Sequence, residues 1–163
     1  MKHTISILVE NEFGALARIA ALFSGRGYNI ESLVVAPTLD DTISRMTINT
    51  LGNDRVVEQI IKQLNKLVNV VKVKDVTRED RLTRNLALIK INLNSRNREK
   101  IKKILKPFDA KVISSDYKCS VIQLVGDDED LQKTVEVLKP YGIMEYVSTG
   151  SVAMQQGKKV IKA

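Results

Sequence analysis

The chain has no tryptophan, three phenylalanines, four tyrosines, three prolines, one cysteine and one histidine in 163 residues. Without tryptophan and with few other aromatics, the core has to be built from Ile, Val and Leu. One cysteine, Cys119, excludes an intrachain disulfide, and in KCSVIQLV it reads as a small buried hydrophobe in a strand. One histidine, His3, with no Cys/His partner set offers neither a zinc site nor a Cys-His pair, and no enzymatic triad can be assembled. Long apolar runs are also missing: Ile5 to Val9 is too short for a secretory segment and no small-residue cleavage site follows it, so a soluble cytoplasmic protein is expected. GxGxxG and Walker patterns are absent, and Gly25 and Gly27 close a helix instead of opening one around a phosphate.

What is abundant is positive charge, +7 overall, and it is unevenly placed. Residues 1–80 carry ten basic and ten acidic side chains, whereas 81–163 carry sixteen and nine. The excess centres on SRNREKIKKILK, where Arg96, Arg98, Lys100, Lys102, Lys103 and Lys106 surround Ile101, Ile104 and Leu105. This is an amphipathic helix with a solvated basic face. Single-strand binders interleave such charge with stacking aromatics, and here only Phe108 and Tyr117 are at hand, both readable as core; solvated surface is favoured over a nucleic-acid footprint.

Periodicity gives the architecture. Thr4 to Val9 alternates as a half-buried strand; Leu16, Ile19, Ala20 and Phe23 recur at helical spacing; Tyr28 to Ala36 and Thr42 to Leu51 form a hairpin across LDD. Asp54 is expected to cap a helix with Val57, Ile60, Ile61, Leu64 and Val68 on its inner face, and Val70 to Val76 closes the unit. The order βαββαβ then repeats through LALIKINLN, NREKIKKILKPF, AKVISSDY, KCSVIQLVG, DEDLQKTVEVLKPYG and IMEYVSTGSVAM, after the polar stretch TREDRLTR. The expected fold is α+β, two ferredoxin-like βαββαβ domains spanning 1–76 and 85–163 with a linker at 77–84. In each, the second strand falls at a sheet edge, and pairing of such edges in a homodimer is the economical way to cover them. The acidic run Asp127 to Asp130 sits where a helix begins and reads as capping rather than as a cation site, so no metal is assigned to the chain.

The stretch NEFGALARI, Asn11 to Ile19, turns a strand into a helix through a single glycine, Gly14. The first N–H groups of a helix lack intrahelical acceptors, so Gly14, Ala15 and Leu16 offer donors to a carboxylate, and the Asn11 amide can receive an ammonium or donate to a carboxylate. Spacing alone somewhat favours a plain tight turn capped by Asn11, so the residues by themselves reach only a candidate anion site.

A βαββαβ unit with glycine at its first strand-to-helix turn resembles the ACT domain, an amino-acid-sensing module. More specifically, ENEFGALARIAALFSGRGYNIESLVVAP followed by TISRMTI resembles the small regulatory subunits of acetolactate synthase (acetohydroxyacid synthase); the match is strong over about the first 76 residues, and the remaining length and layout agree. ACT domains more generally carry Asp and Pro before the glycine, whereas this chain has Asn11 and Phe13, as the small-subunit branch does. The resemblance implies a non-catalytic chain that activates a large catalytic subunit and confers feedback inhibition by valine in branched-chain amino-acid biosynthesis. No cofactor is expected in this chain; thiamine diphosphate, Mg²⁺ and FAD would reside in the large subunit. It also implies an ACT homodimer joined through the second strands, with valine held by Asn11, Phe13, Gly14, Ala15 and Leu16 of one chain and Asn29 and Ile30 of the other. Arg96 falls near the position equivalent to Gly14 in the second copy, whose ligand site is therefore expected to be lost. The alternative is a stand-alone amino-acid-responsive ACT module, nucleic-acid associated through its basic second domain.

Overall fold

A computed structural model of the chain describes residues 1–92 and 97–162, which fall into two compact units. The first contains β1 (Lys2–Glu10), α1 (Ala15–Gly25), β2 (Ile30–Pro37), β3 (Ile43–Leu51), α2 (Asp54–Leu64) and β4 (Val70–Asp75). Its antiparallel sheet has the order β2-β3-β1-β4. The inner face of the sheet (Ile5, Ile7, Val9, Met46, Ile48, Val73) packs on Ile19 and Phe23 of α1 and on Val57, Ile60 and Leu64 of α2. Phe23 meets Tyr28 edge-on at 6.4 Å, a favourable aromatic arrangement just past the end of α1.

The second unit repeats the order with β5 (Arg81–Asn92), α3 (Arg98–Leu105), β6 (Ala110–Ser115), β7 (Cys119–Gly126), α4 (Asp128–Leu138) and β8 (Ile143–Ser148), the sheet running β6-β7-β5-β8. Ala87, Ile89, Ile91, Ile122 and Leu124 meet Ile101, Leu105, Leu131 and Leu138 in its core. Thus both second strands, β2 and β6, lie at sheet edges as the alternation requires. Asp127 caps α4 by accepting from the Asp130 amide at 2.9 Å while the Asp130 carboxylate accepts from the Asp127 amide. The acidic run is accounted for by that reciprocal cap.

Several expectations are corrected. Residues 77–84 are not a free connection: β5 already begins at Arg81, and the division between units falls between Leu82 and Thr83. The final strand is two strands, broken at Gly150 with φ 81°; β9 (Val152–Gln155) pairs with β5 as the fifth strand of that sheet, and it and the tail after it group with the compact unit formed by residues 1–82. There, Arg45 Nη2 donates to the Ala153 carbonyl at 3.0 Å, Lys74 Nζ to Gln155 Oε1 at 3.2 Å, and Lys159 pairs with Glu79 at 2.9 Å.

β1 is not half-buried but buried on both faces. Its polar side chains Thr4 and Ser6 are enclosed, and Thr4 Oγ1 donates to Asn49 Oδ1, whose amide donates on to Ser32 Oγ, both at 2.8 Å. His3 is buried too, its ring 3.8–3.9 Å from Asp75 and Asp54.

Smaller differences share a cause, the shape of turns. Asn53, not Asp54, caps α2, because its side-chain Oδ1 accepts from the Val56 amide. The helix ends at Leu64, so Val68 stands in the following turn, almost fully exposed, while Leu67 packs inward. Tyr117 is exposed at the tip of the β6–β7 hairpin, whereas Phe108 does join the core. Cys119 is only partly buried; desolvation, and then the Asp116 carboxylate its thiol faces, push the thiol pKa up, so it is a poor thiolate. Arg98, Lys100, Lys102, Lys103 and Lys106 are exposed as a basic face should be, and Arg96 lies outside the described residues. Among the described residues no helix is long and apolar enough to cross a membrane.

Candidate functional site at the first strand-to-helix turn

β1 ends at Glu10, and the chain reverses through Asn11–Gly14 into α1. Gly14 has φ 82°, the left-handed region that only glycine enters at no steric cost, and it forms the N-cap of α1 without any side-chain cap. A Cβ placed there would meet only the Arg18 guanidinium, at 3.8 Å and 3.9 Å. The glycine is therefore required by backbone conformation, not by crowding within the chain.

The turn is stitched to its surroundings. The Ala15 amide donates to the Glu12 carbonyl at 3.3 Å, so of the three donors expected to be free this one is engaged. Among the described residues the Gly14 and Leu16 amides have no acceptor. Asn11 does not cap the helix. Its backbone amide donates to the Thr42 carbonyl at 2.7 Å, its side-chain Nδ2 donates to the Asp41 carbonyl at 2.9 Å, and Ser44 Oγ donates to its Oδ1 at 3.2 Å. Asn11 thus locks the turn to the β2–β3 hairpin, whose own bend is held by Asp40: the Thr42 hydroxyl and amide both donate to that carboxylate and keep its pKa below the ordinary value.

A polar group that periodicity did not reveal lies alongside. Arg18, one helical turn past Gly14, donates through Nη1 to Asn69 Oδ1, and the largely buried Asn69 donates from Nδ2 to Glu10 at 3.0 Å and Glu12 at 3.1 Å. Asn69 couples a guanidinium that can receive a carboxylate to two carboxylates that can receive an ammonium. The sequence signal was weak: Arg18 stands four residues after Gly14, on the same helical face, but Asn69 is distant in the chain.

Phe13 is fully exposed, and so is Leu39 in the hairpin held by Asn11; Leu16 is exposed as well. Ala15 is buried beneath the turn. Asn29 and Ile30 are not brought to this place. Ile30 pairs with Thr50, which in turn pairs with His3 at the start of β1, and the Asn29 carbonyl accepts from Thr50 Oγ1 at 2.6 Å. From His3 to Glu10 the strand climbs ~23 Å at ~3.3 Å per residue. Within one chain, Asn29 and the Gly14 turn are at opposite ends of the sheet. Among the described residues the exposed Asn29 amide is engaged only locally, with Glu31. No group of three or more His, Cys, Asp or Glu side chains is placed to hold a metal ion among the described residues.

Comparison with known proteins agrees over the whole chain. The profile described as the AHAS small subunit-like ACT domain matches residues 5–72, and that described as the small subunit of acetolactate synthase matches 84–157. A probable acetolactate synthase small subunit of Archaeoglobus fulgidus is 44% identical, covering 98% of this chain and 99% of its own. The isozyme 3 small subunit of Salmonella typhimurium is 40% identical over 99% and 100%. The crystal structure of the Thermotoga maritima acetolactate synthase small subunit superposes with a TM-score of 0.89 at 32% identity, covering 98% of this chain and 99% of that one. With both units matched in order, the chain belongs to the family of acetolactate synthase small subunits, its first unit an ACT domain.

Proposed function

We propose that the chain is the regulatory subunit of an acetolactate synthase, raising the activity of a large catalytic subunit and making it sensitive to valine. Thiamine diphosphate, Mg²⁺ and FAD belong to that large subunit in this reading, and the assembly works in the cytoplasm. The observation that carries the valine site is the separation of its two halves. β2 runs parallel to β1, since each is antiparallel to β3, and β2 is a sheet edge. Two copies joined antiparallel along β2 therefore bring Asn29 and Ile30 of one to the sheet end that carries Asn11 and Gly14 of the other. The exposed Phe13 and Leu16 then gain a partner to cover them. The Gly14 and Leu16 amides and Arg18 suit the valine carboxylate, and the partner's Asn29 and the carboxylates of Glu10 and Glu12 suit its ammonium. Valine at such a joint binds only the paired state, so it can shift how the two sheets sit, and that difference reaches the large subunit as a coupling free energy.

The test is reconstitution. The chain alone should form no acetolactate from pyruvate; added to its large subunit it should raise the rate, and valine should reverse the gain. An unchanged rate on addition would remove the regulatory reading.

A further inference from the structure

In the second unit, a cavity of about 140 Å³ opens between α3 and the β6–β7 hairpin, lined by Arg98, Ile101, Lys102, Val112, Ser115 and Ser120. Ser120 is buried and its hydroxyl donates to Ser115 Oγ at 2.9 Å; Arg98 Nη2 donates to the same oxygen at 3.3 Å. Ser115 Oγ thus receives two donors, and among the described residues its own proton has no acceptor. Among the described residues Lys102 reaches only Glu99, at 3.2 Å, an exposed pair of the kind that contributes little and yields readily to a ligand. The polar groups are donors seeking an acceptor, opposite an apolar wall of Ile101, which is buried, and Val112.

The position within the repeat gives this cluster meaning. Ser120 pairs with Ile91 across β5–β7 as Ser44 pairs with Val9 across β1–β3, one residue before the end of the first strand of each unit. Ser44 is the residue that holds Asn11. The second copy, expected to have lost its ligand site, has at the same corner a pocket of different chemistry: guanidinium, ammonium and hydroxyls in place of amides, and no acidic side chain in its lining to receive an ammonium.

From this we infer that the C-terminal unit binds a short-chain aliphatic carboxylate lacking an amino group. The carboxylate lies against Arg98, Lys102 and the Ser115 hydroxyl, and the aliphatic tail lies on Ile101 and Val112. A charged donor is stronger than a neutral one, so Arg98 carries most of the recognition. The inference does not depend on valine binding at the first unit.

Amide NMR of the full-length chain titrated with isovalerate tests it. Saturable shifts at Ser115, Ser120 and Ile101 are expected, weakened ~10- to 100-fold by Arg98→Ala and several-fold by Ser115→Ala. Arg98 is exposed, so Arg98→Ala should keep the wild-type melting temperature, whereas Ser115→Ala leaves the buried Ser120 hydroxyl without its acceptor and should lower it modestly. Valine should leave these amides unmoved, and inorganic phosphate, which cannot use the apolar wall, should bind at least several-fold more weakly. Absence of saturable shifts, an affinity unchanged by Arg98→Ala, or equal binding of phosphate or valine would overturn the assignment.

Discussion

Gly14→Asp should yield a regulatory chain that still stimulates its large subunit but ignores valine. Two effects add at the site. The side chain starts where the ligand's carboxylate must approach the turn, and its own carboxylate, one bond beyond a Cβ only 3.8 Å from Arg18 Nη2, competes for that guanidinium. Like charges about 4 Å apart repel by ~1 kcal/mol in water and ~4 kcal/mol at the effective dielectric near a protein surface, so affinity should fall by roughly one to three orders of magnitude. The fold bears a smaller cost. Gly14 has φ 82°, and an L-residue there costs roughly 1–2 kcal/mol, with Asp among the residues that tolerate it best. The new ion pair with Arg18 offsets part of that. Gly14→Ala separates the contributions, since it introduces the strain without the charge and should shift the inhibition midpoint far less. Holoenzyme rate against valine concentration for the three chains is the readout; an unchanged midpoint for Gly14→Asp would leave Gly14 with the turn alone.

Removing residues 152–163 should destabilise the first unit, although that unit's βαββαβ order is complete by Asp75. The segment brings Ala153 and Gln155 into burial, accepts from Arg45 and Lys74, and ties Lys159 to Glu79. Without it the half-buried Arg45 guanidinium loses a carbonyl, and a hydrogen bond to a charged group contributes ~1.5–3 kcal/mol. With the lost apolar burial, a deficit of roughly 2–4 kcal/mol is expected, a large share of the stability of a small domain. Denaturant unfolding of a chain ending at Ser151, followed at amides of β1 and β3, should show it. Equal stability of the first unit in both chains would mean that the tail merely rests there.

These two predictions mark where sequence reading stopped. The repeat, the edge positions of β2 and β6 and the helical faces follow from periods of two and of 3.6, which depend only on nearest neighbours in the chain. The Gly14 turn was visible because a single glycine stood between two periodic segments. The return of β9 was not, because VAM alternates as a continuation of the preceding strand would; the one sign was Gly150, whose positive φ breaks that strand. Burial of both faces of β1 was hidden for the same reason, since Thr4 and Ser6 look like solvent-facing positions until something covers them. The Arg18–Asn69–Glu10 group joins segments some fifty residues apart, a distance no local pattern reports. Val68 and Tyr117 were misplaced because an apolar residue in a turn looks like core in a periodicity count.

In the proposed reading the effector site is built by two chains. Asn29→Ala should abolish valine binding without harm to the fold, because the Asn29 side chain is exposed and its structural bond to Thr50 is made by the backbone carbonyl. Mixing Gly14→Asp chains with Asn29→Ala chains under subunit exchange then decides the matter. In a two-fold dimer each mixed pair has one site carrying both lesions and one carrying neither, so statistical mixing should restore about a quarter of the wild-type valine stoichiometry in calorimetry. Recovery of those sites at wild-type affinity, from two variants that separately bind far more weakly, is the predicted result. A mixture that remains as silent as its components would contradict it.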